Sequence, residues 1–221
     1  MLCHVTTTAT CSALLAVAVA NGIIAVRRRD KRPDDAAGPD PVIAGNLLSM
    51  IINIVAFLHY HRMLQLPKSA DWSVVRYSDW LVTCPLLAAE IGLLLGLVPL
   101  RTSTETARIF CAAICSAGMV GVGLAARHRH DTMARIALWA VGCLLLAGVG
   151  ASLLCFRRDE REQTREDRRL AGLFFLMLWI PYGLVFWIRR DATRNSMYNV
   201  LDFFSKVTLG MYMVRSALVG V

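Results

Sequence analysis

Seven apolar stretches restrict what this chain can fold into more than any other feature. They fall near residues 10–26, 42–60, 73–98, 104–126, 132–156, 169–188 and 196–219. Each approaches or exceeds the roughly 20 residues with which an α-helix crosses a bilayer. Hydrophobic residues make up 56% of the 221, which favours a membrane protein over a soluble domain. We therefore predict an all-α bundle of seven transmembrane helices, forming a single membrane domain over residues 1–221.

The basic residues predict how this bundle is oriented. If the N-terminus lies outside, the cytoplasmic loops at 27–32, 101–108 and 157–169 carry 13 Lys and Arg residues, and the opposite loops carry eight. The positive-inside rule then places the N-terminus outside and the C-terminus in the cytoplasm. The net charge of +8 lies mostly in these loops and favours contact with anionic lipid headgroups over nucleic acid. The seven cysteines show no CxxC spacing, so we expect neither disulfides nor a metal site.

A lysine interrupts the last apolar stretch. Charged residues inside a membrane span are costly, and those that occur are usually functional. Lys206 follows Asp202 by four residues, which places the two side chains on one helical face. A buried lysine with a carboxylate one turn away suggests a Schiff base and its counter-ion.

The third stretch carries a polar stripe. Arg76, Asp79, Thr83 and Glu90 are offset by 0, 3, 7 and 14 residues, which puts them on one face of a helix. Arg76 would hold Asp79 ionised, whereas Glu90 lies among apolar residues and should stay protonated. One ionised acid and one neutral acid make a proton acceptor and a proton donor. The alternative is that these groups only neutralise one another to hold the bundle together. The number of ionisable groups in the spans, with Lys206 included, is larger than that role requires.

Three motifs together resemble the microbial (type 1) rhodopsins over nearly the whole chain. RYSDWLVTCPLLAAE at 76–90 is similar to the third-helix signature, LDFFSK at 201–206 to the retinal-binding site of the seventh helix, and AFLHYH at 56–61 to a second-helix motif. The match is closest to proteorhodopsin-like and bacteriorhodopsin-like proton pumps. The resemblance implies a multi-pass protein of the cell membrane that binds all-trans retinal and is not an enzyme.

The resemblance also implies roles for the ionisable residues. Lys206 would form the retinal Schiff base, and Asp79 would be the primary counter-ion and proton acceptor. Asp202 would be the second carboxylate, and Glu90 would return a proton from the cytoplasmic side.

Five further residues would support the two counter-ion carboxylates. The first carboxylate would receive hydrogen bonds from His59 and Thr83, and the second from Tyr60 and Tyr182. Arg76 would lie on the outer side of the cluster.

The retinal pocket is placed by the same resemblance. Large aromatic and small residues would pack around a flat polyene. Leu87 is typical of green absorption, and Trp139 argues against a carotenoid antenna. The pocket residues are Tyr60, Trp80, Cys84, Leu87, Met119, Gly123, Trp139, Gly142, Trp179, Tyr182 and Phe186.

Departures from the family pattern leave the activity open. Pro181 comes early in the sixth helix, Phe186 replaces a tryptophan, Cys84 replaces a threonine, and Ser116 replaces the aspartate that partners it. The leading hypothesis is a light-driven outward proton pump in the bilayer, assembled as a homo-oligomer. A light-gated cation or proton channel is the alternative, and a photosensor is a weaker one.

Overall fold

Long helices account for most of the residues that the structure describes. The computed structural model describes residues 2–30, 40–67, 71–97, 102–154, 173–174 and 176–219. No strand occurs in these ranges. The helices are α1 (Leu2–Asp30), α2 (Pro41–Gln65), α3 (Ser73–Leu94), α4 (Ser103–Arg127), α5 (Thr132–Leu154), α6 (Ile180–Val185), α7 (Asp191–Asp202) and α8 (Thr208–Val219), with a π-helical turn (Phe203–Val207) joining the last two.

Four of these helices, α1, α2, α4 and α5, are long and apolar enough to cross a membrane. Helix α1 extends beyond the predicted 10–26 at both ends, and α2 runs five residues past the predicted 60. The predicted stretches 132–156 and 169–188 and the charged run 157–169 lie partly or wholly outside the described residues. The seventh predicted stretch, 196–219, begins five residues earlier, at Asp191.

Helix α3 ends at Leu94, four residues before the predicted end at residue 98. Gly96 has a φ of 78°, which favours glycine because a side chain would be strained there. The N–H of Leu97 bonds the carbonyl of Gly92 at 2.8 Å, and that of Gly96 bonds Leu93 at 2.9 Å. This pair of bonds is a Schellman motif, which closes the helix before its apolar sequence runs out.

The chain divides into two compact units. The first unit comprises Met1–Leu66 and Val185–Val221, and it contains α1, α2, α7, the π-helical turn and α8. The second unit comprises Pro67–Leu184 and contains α3, α4, α5 and most of α6.

Polar contacts tie the helices of the first unit together. The side-chain amide of Asn199 in α7 donates to the hydroxyls of Thr7 at 2.8 Å and Thr6 at 3.0 Å in α1. Further along, the amide of Asn21 donates to the carbonyl of Gly210 in α8 at 3.2 Å. Because lipid tails are as apolar as leucine, such bonds and close packing supply the attraction between membrane helices.

In the second unit, side-chain hydrogen bonds join the start of α4 to the end of α5. The guanidinium of Arg108, near the start of α4, donates to the carbonyls of Ser152 at 2.8 Å and Leu153 at 3.1 Å. These carbonyls belong to the last turn of α5, where an α-helix cannot satisfy them itself. The hydroxyl of Thr102 caps α4 by accepting from the N–H of Glu105 at 3.1 Å.

The distribution of polar and apolar side chains is the reverse of that in a soluble protein. Leu144 is 72% exposed and Ile114 is 68% exposed, although both lie in the middle of long helices. Arg76 and Lys206 are only 1% exposed. An apolar surface around a charged interior fits a chain whose solvent is the bilayer.

Asp40 fixes the start of α2 at the membrane boundary. One carboxylate oxygen accepts from the N–H of Val42 at 2.8 Å, and Pro41 occupies the first helical position. The other oxygen accepts from the guanidinium of Arg28 at 3.0 Å. Partial burial raises the pKa of Asp40, but the hydrogen bonds and the Arg28 charge outweigh it and hold the pKa below its ordinary value.

We expect the stabilisation from Asp40 to disappear in acid. Because its pKa is lower in the folded state, the contribution is complete above the ordinary pKa of about 3.9 and is lost as the pH falls through the folded value. Asp40→Ala should cost about 1 kcal/mol near neutral pH, as is usual for a lost N-cap. Thermal unfolding between acid and neutral pH measures this dependence. Asp40→Asn is the matched control, since it retains a cap acceptor but has no charge. If the stability of Asp40→Asn and that of the parent fell equally between neutral and acid pH, the role of the ion pair would be contradicted.

Candidate functional site

A buried ionic cluster joins α2 to the end of α7 and to the π-helical turn in the first unit. The ammonium Nζ of Lys206 lies 3.8 Å from Oδ1 of Asp202, one turn earlier. The hydroxyl of Tyr60 donates to Oδ2 of the same carboxylate at 2.6 Å. All three side chains are at most 1% exposed. Each carboxylate oxygen thus has a separate partner, and a buried charge needs such compensation.

Lys206 lies in the π-helical turn rather than in regular α-helix. In such a turn the backbone bonds span five residues instead of four, and π-helical segments are frequent at functional sites. Asp202 is the last α-helical residue before this turn. The sequence predicts a continuous helix here, and nothing in LDFFSK signals the extra residue in the turn.

The α3 stripe is buried in the second unit as its spacing predicts. Asp79 and Thr83 are fully buried, and Arg76 and Glu90 are 1% exposed. The hydroxyl of Thr83 donates to the main-chain carbonyl of Asp79 at 3.0 Å. The predicted bond between these two residues therefore forms to the backbone.

Aromatic side chains cluster around Trp80 in the second unit. The indole packs edge-on against Tyr77, with ring centroids 5.1 Å apart, and against Tyr182, at 5.3 Å. The guanidinium carbon of Arg76 lies 5.8 Å from its centroid, which is within range of a cation–π interaction. Sequence reasoning missed Tyr77, although its position three residues before Trp80 places both on adjoining turns.

Small residues leave room for these rings. A Cβ on Gly123 would lie 3.1 Å from a ring carbon of Tyr77. The indole N–H of Trp139 in α5 donates to the carbonyl of Gly183 in α6 at 3.0 Å. A predicted pocket tryptophan on one helix is thereby fixed to the main chain of another.

The remaining pocket positions are spread over several elements. Leu87 is buried in α3, and Cys84 on the same helix is half-buried. Met119 is half-buried in α4, and a Cβ on Gly142 in α5 would meet Val122 at 3.5 Å.

Two further predicted residues, Phe186 and His59, belong to the first unit. Phe186 packs edge-on against Trp187, with centroids 5.2 Å apart. Nδ1 of His59 lies 2.9 Å from the carbonyl oxygen of Val55 on its own helix.

The helical path is interrupted at Trp179. Leu178 and Trp179 form a turn, and α6 begins only at Ile180. The N–H groups of Trp179 and Tyr182 bond carbonyls three residues earlier, at 3.0 and 3.2 Å. Pro181 between them has no N–H to donate, and its ring crowds the carbonyl four residues before. The early proline thus coincides with tighter backbone turns on both sides.

Apolar helices around a buried lysine with its carboxylate and a buried acidic stripe are the features expected of a retinal protein of the membrane. A family model described as "Bacteriorhodopsin-like protein" matches residues 10–219. The chain therefore belongs to the bacteriorhodopsin-like family of microbial rhodopsins.

Individual relatives agree with this assignment. Bacteriorhodopsin-II of Haloarcula marismortui is 26% identical over 157 residues, which cover 66% of this chain and 60% of the relative. The chain thus aligns with less than two thirds of that relative's length. The viral rhodopsin OLPVRII shares the fold with a TM-score of 0.81 at 20% identity, covering 100% of both chains. The rhodopsin CsR of Coccomyxa subellipsoidea gives 0.79 at 19% identity, covering 98% of this chain and 97% of that one.

Membership of the family establishes the cofactor. Its members are multi-pass membrane proteins that bind retinal through a Schiff base to a lysine, and they act as pumps or photoreceptors rather than enzymes. Lys206 fits this requirement, because its amine is buried in the π-helical turn beside a carboxylate. A protonated Schiff base at Nζ would keep the positive charge that Asp202 compensates.

Lys206→Ala should yield a folded protein that forms no visible pigment with retinal, since alanine has no amine. Lys206→Arg should also lack pigment although it preserves the charge. Lys31→Ala and Lys68→Ala are matched controls for the loss of a lysine and should retain the pigment. Absorption spectra of the purified proteins, with circular dichroism to verify folding, measure the result. A hydroxylamine-sensitive pigment in Lys206→Ala would refute the assignment.

Proposed function

We propose that this protein is a light-driven outward proton pump. The observation that carries the proposal is the complete burial of Asp79 and Glu90, two acids eleven residues apart on one face of α3. At a rise of 1.5 Å per residue they are separated by about 16 Å along the helix, which is half a bilayer core. Two acids at different depths suit a proton acceptor and a proton donor.

The residues have separate tasks in this proposal. Bound retinal supplies the light-driven isomerisation. The carboxylate of Asp79 accepts the proton from Nζ of Lys206, and the carboxyl group of Glu90 then returns one to Nζ. Asp202 accepts a hydrogen bond from Tyr60 and compensates the charge at Nζ in the resting state.

The direction of transport follows from the proposed orientation. With the N-terminus outside, α3 runs inward, so Asp79 lies towards the outside and Glu90 towards the cytoplasm. Release from the first and uptake through the second move protons outward. The rhodopsin CsR of Coccomyxa subellipsoidea is described as a light-driven proton pump, which lends support to this reaction for the shared fold.

A light-gated cation or proton channel is the second candidate. The interruption of the helix at Trp179, two residues before Pro181, favours a channel. A helix with missing backbone hydrogen bonds can bend more easily and so open a path for ions. Cys84, half-buried on α3, occupies a position at which cysteine also occurs in some channelrhodopsins that resemble bacteriorhodopsin.

Photocurrents under voltage clamp, with retinal supplied, distinguish the two candidates. A pump should give an outward current that keeps its sign at every holding potential. A channel should give a current that reverses where the proton or cation gradient is balanced. Reversal would overturn the pump proposal and direct attention to the sixth helix.

Asp79→Asn should abolish transport, because the acceptor can no longer take a proton. It should also shift the absorption maximum to the red, since the counter-ion charge is lost. Asp131→Asn is the control, since that exposed carboxylate caps the N–H of Ala134 and asparagine can do the same. Visible spectra and photocurrents of both variants are compared with the parent. An unchanged or blue-shifted spectrum in Asp79→Asn would contradict its counter-ion role.

Glu90→Gln should slow reprotonation of the Schiff base by about a hundredfold or more, the usual contribution of a positioned proton donor. Added azide should restore the rate by carrying protons from solvent. Flash photolysis follows the decay of the deprotonated state. Glu105→Gln, on the first turn of α4, controls for loss of a glutamate. A decay equal to that of the parent would remove Glu90 as the donor.

A further inference from the structure

Three buried asparagines in the first unit leave a strong acceptor unused. Asn21, Asn46 and Asn53 are all fully buried. Within the described part of the chain, the side-chain oxygen Oδ1 of each has no hydrogen-bond partner. A buried polar atom without a partner loses its hydration and gains nothing in return.

Exchanging the oxygen and nitrogen of these amides does not solve the problem. The amide nitrogen of Asn21 donates to the carbonyl of Val17 at 2.9 Å. Those of Asn46 and Asn53 donate to carbonyls one turn earlier, each at 2.8 Å. A flipped amide would set its oxygen against a carbonyl oxygen, so the network itself fixes the orientation.

Two of these asparagines, Asn21 and Asn53, approach Gly210 in α8, whereas the amide of Asn46 donates to the carbonyl of Met213 at 3.5 Å. Asn21 donates to the carbonyl of Gly210 at 3.2 Å. A Cβ on Gly210 would lie 2.8 Å from Oγ of Ser49 and 3.1 Å from Nδ2 of Asn53. The absence of a side chain thus lets three polar groups from α1 and α2 approach one point on α8, together with Cγ1 of Val17, which would lie 2.5 Å from that Cβ. Gly210 follows Lys206 by four residues, or about 6 Å along the helix.

We propose that Asn21, Ser49 and Asn53 hold ordered water around Gly210, and that Asn46 continues this hydrated track along α8. Water donates two hydrogen bonds and so satisfies amide oxygens that have no donor, as buried waters usually do. A divalent cation suits the cluster poorly, because these four residues provide no carboxylate. Because the amide nitrogen of each asparagine is bonded to a carbonyl, its oxygen Oδ1 is the atom left to accept from the proposed water.

This water would provide a path by which a proton reaches Lys206 without passing through Glu90. The cluster begins one turn beyond the lysine on its C-terminal side, within the first unit, whereas Glu90 belongs to the second. The consequence rests on the proposed function: a proton can reach Nζ through water along α8 when the Glu90 donor is missing.

A crystal structure of the retinal-loaded protein, at a resolution that shows ordered waters, tests the site directly. We expect water about 2.7–3.2 Å from Oδ1 of Asn21 and of Asn53. A dry cluster, or side-chain donors on these oxygens, would overturn the proposal. This result does not depend on whether the protein pumps.

Asn53→Leu gives an independent test through thermal stability. If the amide oxygen is dry, an apolar side chain of similar size removes an unsatisfied group and should raise Tm. If water holds it, the variant should lose the water and Tm should fall. Asn199→Leu is the matched control, since its amide is bonded by Thr6 and Thr7 and its loss should lower Tm. Asn21→Leu repeats the test if Asn53→Leu does not fold.

The proton route is tested in the Glu90→Gln background. Adding Asn53→Leu should slow the decay of the deprotonated Schiff base severalfold further. An equal decay in the single and double variants would overturn the route, while water in the crystal structure would still support the site. A channel-type photocurrent would refute the pump but leave both water tests valid.

Discussion

The compensation of the buried Lys206 charge is the constraint on which the first unit depends. An isolated ammonium in a bilayer is unstable, so a carboxylate has to lie beside it in any productive arrangement. Asp202 is supplied by the same helix, but its second oxygen is bound by Tyr60 from α2. The position of α2 relative to the last helix is therefore tied to the charge state of the site. The π-helical turn between Asp202 and Val207 sets where the lysine leaves the helix.

Cohesion in both units comes from polar bonds and close backbone approach. Asn199 and Asn21 join α1 to the last helix on either side of Lys206, and Arg108 joins the start of α4 to the end of α5. The hydrophobic effect cannot do this between helices that lipid already solvates. Gly210 shows the same principle, because its missing side chain admits polar groups of neighbouring helices. Bonds that hold the fold thus also bring hydration near the lysine.

Pumping and channel activity require opposite properties of the same scaffold. A pump needs the acids on α3 to exchange protons one at a time, which suits two carboxyl groups buried at different depths. A channel needs a continuous wet path. The first unit carries polar groups on both sides of Lys206, and the sixth helix is interrupted at Trp179, so the chain contains elements of both. The proposed pump requires that the paths from Lys206 to the two sides of the membrane are never open at the same time.

The sequence by itself determined the features that depend on the helical repeat. The spacing of Asp79 and Glu90 places both on one face of α3, and the spacing of Asp202 and Lys206 predicts that they lie one turn apart. The apolar stretches likewise predicted helices, although Gly96 ends α3 earlier than hydropathy alone suggests. Only the tertiary structure decided which partners these residues meet. Tyr60 and Asp202 are 142 residues apart, the π-helical turn has no local signal, and Asn21 and Asn53 meet only where α1, α2 and α8 pack around Gly210. The reason is physical: the repeat is a property of the backbone, whereas contacts between helices depend on packing that no local pattern encodes.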